Sequence, residues 1–326
     1  MAEESKRVLL TGSTGFIGAN LARRLVRDGH EVHLLVRPVD ARWRVDSLAG
    51  DVSLHEGALQ ERERVEEIVA QVDPQWVFHL AAYGSYSSQR DVQTIVSTNY
   101  NGTVNLVEAC LASGFESFVN AGSSSEYGIQ DHAPAETELP DPNSHYAVTK
   151  AGATLYCRFT SQRTGRNLTT LRLYSVFGPW EEPTRLMPSL LIHGRRGELP
   201  PLVAPSIARD YLYVDDAVEA FIAAARSSSV EHGAVFNVGT GVQTSLSELV
   251  DLVRDQLGVR AEPLWGSMPD RHWDTDVWVA DSTSIRAALG WKPACDLEEG
   301  VRSFAEWMAT EPGMAQLYET QRSVPL

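Results

Sequence analysis

Three glycines near the N-terminus constrain this chain more than any other feature. Residues 7–31, RVLLTGSTGFIGANLARRLVRDGHE, run an apolar Val8-Leu9-Leu10 into Thr11-Gly12, and Gly15 and Gly18 follow at intervals of three. From Gly15 an apolar-periodic segment continues to Arg27 and stops at Asp28-Gly29-His30. The pattern predicts a strand, a tight turn and a helix. Glycines at these positions leave backbone N–H groups and the positive end of a helix dipole open to a pyrophosphate, and the last lets helix and strand pack closely. A glycine triplet alone also fits a turn that binds nothing. Its place between a first strand and a first helix points to a dinucleotide, with Phe16 and Ile17 at the mouth of the helix beside it.

The second strand is expected over Glu31–Val36, followed by Arg37-Pro38. An acid at the end of this strand would accept hydrogen bonds from ribose hydroxyls, whereas an arginine suits a 2′-phosphate. Here Arg37 stands at the tip with Arg42 and Arg44 close behind, and Asp40 comes three residues late. The reading is NADP(H) before NAD(H), although a solvated basic loop has the same composition.

Residues 51–57 read as a third strand, 59–72 as an amphipathic helix ended by Asp73-Pro74, and Trp76–Leu80 as a strand that leads into Ala81-Ala82. Small residues there let a cofactor lie against the strand end, which makes Leu80, Ala81 and Ala82 candidate neighbours. His79 reads as a packed strand residue. A helix over 98–113 and a strand over 115–121 extend the alternation, the mark of a doubly wound parallel sheet whose ligands lie beyond the carboxyl ends of its strands.

A net charge of -15 at a pI near 5.0 disfavours nucleic acid and anionic membranes as partners. Cys110, Cys157 and Cys295 are too widely spaced for a disulfide framework or a metal site and read as buried, reduced thiols. MAEESKR lacks the apolar core of a signal peptide, and no apolar run approaches the roughly 18 residues of a membrane span, so a cytoplasmic protein is expected.

Candidate chemistry lies past the fifth strand. Ser117–Asn120 feeds AGSSSEYG at 121–128, and YAVTK follows at 146–150. Tyr146 and Lys150, four apart, share a helix face. A phenol, with an ordinary pKa of about 10, needs a nearby ammonium to reach a usable range. With a hydroxyl from Ser123, the set makes a proton donor and oxyanion stabiliser for a carbonyl carbon that receives hydride. A YxxxK can arise by chance; its order after a glycine loop and a serine strand end argues against that.

With these residues in place, the chain from Arg7 to about residue 308 resembles an extended short-chain dehydrogenase/reductase of the nucleotide-sugar epimerase/dehydratase group. The resemblance implies a Rossmann-like α/β fold with a smaller C-terminal cap. It assigns Gly12, Gly15 and Gly18 to the pyrophosphate, Ser123, Tyr146 and Lys150 to catalysis, and Asn99 to a structural position near the cofactor. LRLYSVFGP at 171–179 resembles the family's LRxxNVYGP, with Ser175 where an asparagine contacts substrate phosphate. RDYLYVDD at 209–216 makes Arg209 an implied diphosphate ligand, and Arg271 fits the second. Asp215-Asp216 reads instead as an acidic helix start.

Departures from the family narrow the expectation. Ala58 stands where an aspartate often meets the adenine. Ser124 and Ser125 occupy the positions of the dehydratases' acid pair, with Glu126 displaced by one; Ser124 is kept as a substrate neighbour. A dehydratase is therefore not expected. The GSSSEYG form resembles the family's 4-keto-6-deoxysugar reductases, so the expected reaction is NADP(H)-dependent reduction of the C4 ketone of a nucleoside-diphosphate 4-keto-6-deoxysugar. A 4-epimerase is the alternative, and a non-catalytic dinucleotide sensor a second. Prolines from Pro179 onward suggest a change of unit: residues 1–178 with 209–240 as the dinucleotide-binding part, 179–208 and 241–326 mainly as the cap, where Trp273 replaces a family glycine and would line the sugar pocket. The family also implies a homodimer.

Overall fold

The computed structural model describes residues 4–86, 88–227, 230–268 and 275–322. In chain order the first half contains β1 (Arg7–Thr11), α1 (Phe16–Arg27), β2 (Glu31–Val36), β3 (Val52–Glu56), α2 (Arg62–Val72), β4 (Trp76–His79), α3 (Val92–Val96), α4 (Gly102–Ser113), β5 (Ser117–Ser123) and α5 (His145–Thr164). There follow β6 (Leu168–Leu173), β7 (Ser175–Phe177), α6 (Leu186–Gly194), β8 (Ala208–Arg209), β9 (Tyr211–Tyr213), α7 (Val214–Arg226), β10 (Val235–Val238), β11 (Thr244–Ser245), α8 (Leu246–Leu257), α9 (Thr283–Leu289), α10 (Leu297–Thr310) and α11 (Met314–Arg322).

Seven strands form a parallel sheet in the order β10-β6-β5-β4-β1-β2-β3. Both faces are buried, as an all-parallel sheet requires. Because side chains alternate along a strand, β1 sends Val8 and Leu10 to one face and Leu9 to the other. Val8 and Leu10 pack with Leu21 and Leu25 of α1 and Phe221 of α7. Leu9 joins Val65 and Ile68 of α2, Leu106 of α4 and Phe118 of β5. A further core gathers Leu190 of α6, Val250 and Val253 of α8, Phe304 of α10 and Tyr318 of α11. Ser245 and Glu248 cap α8 reciprocally, as a capping box does. Ile285 of α9 and Trp291 rejoin the main-sheet core, so the chain returns to the sheet after 280.

Strand order reverses between β1 and β4, whose neighbouring ends define the crevice in which such sheets bind ligands. Gly12 ends β1 there with φ +76°, and a Cβ on it would lie 2.5 Å from the Ala81 nitrogen. A Cβ on Gly18 would lie 2.2 Å from the Gly12 carbonyl oxygen. The turn thus needs glycine at both places, once for conformation and close approach and once for packing the helix onto the turn.

The helix expected over 98–113 is present as α4, but its first turn is wider. Residues 97–101 wind as a π-helix that links α3 to α4. Cys110 and Cys157 are buried free thiols, whereas Cys295 is only partly buried. No helix among the described residues is long and apolar enough to cross a membrane.

Candidate active site

The N-terminus of α1 is an open cradle. Its first residue follows Gly15, no side chain caps its N–H groups, and its first turn carries no acid. Free N–H groups at a helix start, on a turn where a Cβ would collide with Leu80 and Ala81, fit the pyrophosphate of a nicotinamide dinucleotide. Phe16 and Ile17 form the first turn of α1, while Leu80 and Ala81 close against Gly12; Ala82 is exposed just beyond.

The tip of β2 differs from the sequence expectation. Asp40 folds back onto it: its carboxylate accepts from Arg37 Nε (2.9 Å), Arg37 Nη2 (2.6 Å) and the Thr14 hydroxyl (3.3 Å). A carboxylate therefore does stand at this strand end, and the Arg37 charge reserved for a 2′-phosphate is already engaged. The turn over residues 37–40 does this by reversing the chain, with Asp40 N donating to Arg37 O at 3.1 Å. Arg44, 6% exposed, donates to Trp180 O (2.7 Å), to Thr14 O of the glycine loop (3.3 Å) and to Glu182 (3.0 Å). Arg42 pairs with Glu56 instead.

Beyond β5 the three expected catalytic groups come together. Ser144 caps α5 by accepting from Ala147 N at 3.1 Å, which sets Tyr146 and Lys150 in the first two turns. The Ser123 hydroxyl, at the end of β5, lies close enough to the Tyr146 phenol to act on its pKa, and it meets the Ser125 hydroxyl at 2.8 Å. Asn99, in the π-turn, accepts from Tyr83 N and donates to Tyr83 O (both 2.8 Å) and to Thr149 of α5 (3.0 Å). It is thus a brace between the loop after β4 and α5. A π-turn at such a position is a common functional device. His79 is a packed residue as expected: its ring bonds Thr11 (2.7 Å) and Thr103 (2.8 Å), and burial pushes its pKa down to about 3.

The electrostatics of the pair differ from the simple expectation that Lys150 lowers Tyr146. Burial dominates, pushing the Tyr146 phenol up to about 12 against the opposing effect of the Ser123 hydroxyl, and the Lys150 ammonium is lowered by burial. Without ligand the phenol is an acid and holds its proton. Ser124 is 6% exposed and Glu126 fully buried, the latter paired with Arg172 at 2.9 Å. Neither offers an acid to a ligand, and Ser125 bonds Ser123, so the dehydratase pair has no replacement here.

On the opposite side of the opening, Ser175 and Arg209 are brought together: Ser175 N donates to Asp210 O at 3.0 Å, next to Arg209. The Arg209 guanidinium lies 5.3 Å from the Trp278 ring centroid, and Trp278 meets Tyr174 at 6.5 Å. Ser124, Tyr174 and Trp278 line one small cavity. Arg271 and Trp273 lie outside the described residues. Ala58 is half-buried and its N–H is taken by Glu61 at 3.1 Å.

Three buried acids have partners that no sequence pattern indicates. Asp210, fully buried, accepts from Thr240 N, Gly241 N and Ala280 N, which fixes the loops around Arg209. Asp216 is structural, as expected, yet it does not cap its own helix; it accepts from Ala294 N (2.9 Å) and Cys295 N (3.1 Å). Glu181, 6% exposed, has a carboxyl oxygen without a hydrogen-bond partner and stands near Arg185, whose guanidinium lies 5.5 Å from the Tyr86 ring. Only the pairing WEE after Gly178-Pro179 hints at it.

Burial raises Glu181 from an ordinary 4.5 to about 8. The folded state therefore holds a proton that the unfolded chain has lost, so this group's contribution to stability is complete below about pH 4.5 and is lost as pH rises to about 8. Glu181→Gln, neutral at every pH, is expected to flatten that decline in denaturant unfolding and to be the more stable protein at pH 8 and above. Parallel stability–pH curves for the two proteins would refute it.

With this geometry established, comparison with known proteins is direct. The model of the NAD dependent epimerase/dehydratase family matches residues 8–239. The UDP-glucose 4-epimerase of Mycolicibacterium smegmatis is 31% identical over 314 residues, covering 92% of this chain and 98% of that protein. The dTDP-glucose 4,6-dehydratase of Streptomyces griseus is 32% identical over 314 residues, covering 92% and 93%. The structure of the Thermus thermophilus UDP-glucose 4-epimerase complex with NAD superposes with a TM-score of 0.82 at 29% identity, covering 93% of this chain and 99% of that one. The chain is an enzyme of the short-chain dehydrogenase/reductase type and belongs to the NAD-dependent epimerase/dehydratase family.

Proposed function

We propose that the protein is a 4-epimerase of a nucleoside-diphosphate sugar, of the uridine type that the epimerase relatives are named for, and that it keeps its NAD(H) bound through the cycle. The observation that carries this reading is the closure around the cofactor cradle. Arg44 ties the glycine loop to the segment Trp180–Glu182, and Asp40 neutralises the arginine that would otherwise favour NADP(H). Trp180 holds a left-handed backbone, φ +70°, and packs on Trp307 of α10 at 5.1 Å, so strain is spent at this closure. An epimerase profits from retention; a reductase must exchange its cofactor every cycle.

The dinucleotide supplies a hydride acceptor and donor at sugar C4. For this the phenol must first give up the proton it holds at rest; as phenolate, Tyr146 takes the C4 hydroxyl proton through Ser123 as the ketone forms and returns it when hydride arrives on the other face. Lys150 offsets the charge on the phenol oxygen in its deprotonated state. Gly12, Gly15 and Gly18 seat the pyrophosphate, with Leu80 and Ala81 behind it. Ser175 and Arg209 receive the sugar-nucleotide diphosphate, with Trp278 and Tyr174 beside them, and Ser124 borders the sugar. In this reading the core of α6, α8, α10 and α11 is the cap.

The reductase of a 4-keto-6-deoxysugar uses the same three groups, so the test follows the hydride. UDP-sugars are expected to give their C4 epimers with no net change in cofactor, and the dinucleotide is expected to survive gel filtration. Deuterium transferred from 4-deuterated NADPH to C4 of a 4-ketosugar, with cofactor consumed in step, would instead establish the reductase. In either reaction Tyr146→Phe should lower turnover by about a hundredfold or more; near-normal turnover would show that another group moves the proton.

The family's dimer has a surface to match. Val148, Leu155 and Phe159 form a stripe along α5, each more than half exposed at 53%, 55% and 57%, with Tyr100 beside them at 37%. We read this stripe as covered by a second copy. Sedimentation should show a dimer for the natural chain and a shift towards monomer for Phe159→Glu, and a natural chain that sediments as monomer would overturn this.

A further inference from the structure

A buried carboxylate stands beside the end of β5. Glu126 is fully buried, and its two oxygens point to different parts of the site. Oε1 accepts from Ser123 N at 2.8 Å and from the Thr154 hydroxyl of α5 at 3.0 Å. Oε2 accepts from Arg172 Nε of β6 at 2.9 Å, and the guanidinium lies 4.4 Å from the Tyr127 ring centroid. Gly122 makes room, since a Cβ there would lie 2.8 Å from Oε1. Thr154 is four residues after Lys150, so both lie on one face of α5 and the carboxylate presents its Oε1 side to that face.

The groups around Lys150 make this charge matter. A buried ammonium needs an anion nearby. His79, from β4, is neutral because burial depresses its pKa. Cys157, one turn beyond Thr154, stays a thiol because burial pushes its pKa up to about 12. Tyr146 holds its proton for the same reason. Among the described residues that act on Lys150, Glu126 is the carboxylate, and it is ion-paired with Arg172 at 2.9 Å. Arg172 stands on the Oε2 side, away from the atom that meets α5.

We propose that Glu126 is a positioning residue for the reaction: its carboxylate, anchored by Arg172, ties the Ser123 strand end to the Lys150 face of α5 and supplies the counter-charge that keeps Lys150 an ammonium. The proposal rests on the catalytic reading of Ser123, Tyr146 and Lys150, and it extends that reading one layer into the protein. It gives a task to an acid that stands one position away from the pair that dehydratases use.

The chain's lysines are only Lys6, Lys150 and Lys292, so each can be followed individually by NMR of protein grown on lysine labelled with carbon-13 at Cε. In Glu126→Gln the Lys150 titration midpoint is expected to fall by about one pH unit or more, the usual effect of removing a close opposite charge, while Lys6 and Lys292 stay in place. An unmoved Lys150 midpoint in the folded variant would overturn the proposal. Should the unpaired Arg172 prevent folding, Glu126→Gln combined with Arg172→Met removes both charges, and the same fall is expected. In the kinetic arm, the alkaline limb of kcat should move to lower pH with KM little changed, and a loss of rate uniform across pH would reduce Glu126 to packing. The NMR arm needs no turnover, so it decides the proposal even if the epimerase reading fails.

Discussion

The approach of Gly12 to the end of β4 is the constraint on which the site depends. Two parallel strands diverge at the point where the sheet reverses its order, and the turn leaving β1 must bend sharply enough to start α1 over the crevice. A side chain at Gly12 would meet Leu80 and Ala81, and one at Gly18 would lift the helix off the turn. Only with both positions bare does the uncapped start of α1 face the crevice with its N–H groups available. The loop after β4 is then held in place by Asn99, which also reaches α5 through Thr149, so the cradle and the Tyr146 helix are braced by one side chain.

The elements around the candidate site are held by buried charge. Glu126 with Arg172, Asp210 with four N–H and hydroxyl donors, and Asp216 with the N–H groups of Ala294 and Cys295 each join elements distant in the chain. Buried carboxylates are costly when unpaired and strongly directional when every oxygen is satisfied, which is why they set geometry rather than add stability. Glu181 breaks this pattern, since one of its oxygens has no partner and its proton is retained instead.

What is legible in the sequence is local. The glycine spacing, the strand-helix alternation and Tyr146 with Lys150 all express contacts within one turn or one supersecondary unit, and the structure reproduces them. Asp40 escapes such a reading because its distance from the β2 tip is counted along the chain, whereas a turn brings it back onto Arg37. Arg44 passes for one more basic loop residue because its partners Trp180 and Glu182 lie some 136 to 138 positions away. Glu126 looks like a displaced catalytic acid; its role depends on Thr154 and Arg172, neither of which any short motif contains. Local patterns announce the candidate site groups, and long-range ion pairs and hydrogen bonds decide how those groups are held.

The protonation pattern of the resting site bears on how one residue can serve a reaction that runs in both directions. Tyr146 is held as a neutral phenol by burial, and Lys150, whose charged form burial disfavours, is opposed in that shift by the buried Glu126 carboxylate. In the proposed epimerase the phenol must first part with this proton; once it has, a proton passing between Tyr146 and a sugar oxygen leaves the total charge of the site unchanged, so no ion has to be drawn in from solvent. In that reading the same holds whichever face of the sugar is presented, because Tyr146 and Ser123 would act on the oxygen, and neither group depends on the direction from which hydride reaches the carbon. In the proposed epimerase, retention of the dinucleotide and a charge-neutral proton transfer go together: the first keeps the hydride within the protein, and the second lets the proton return without the site having to open.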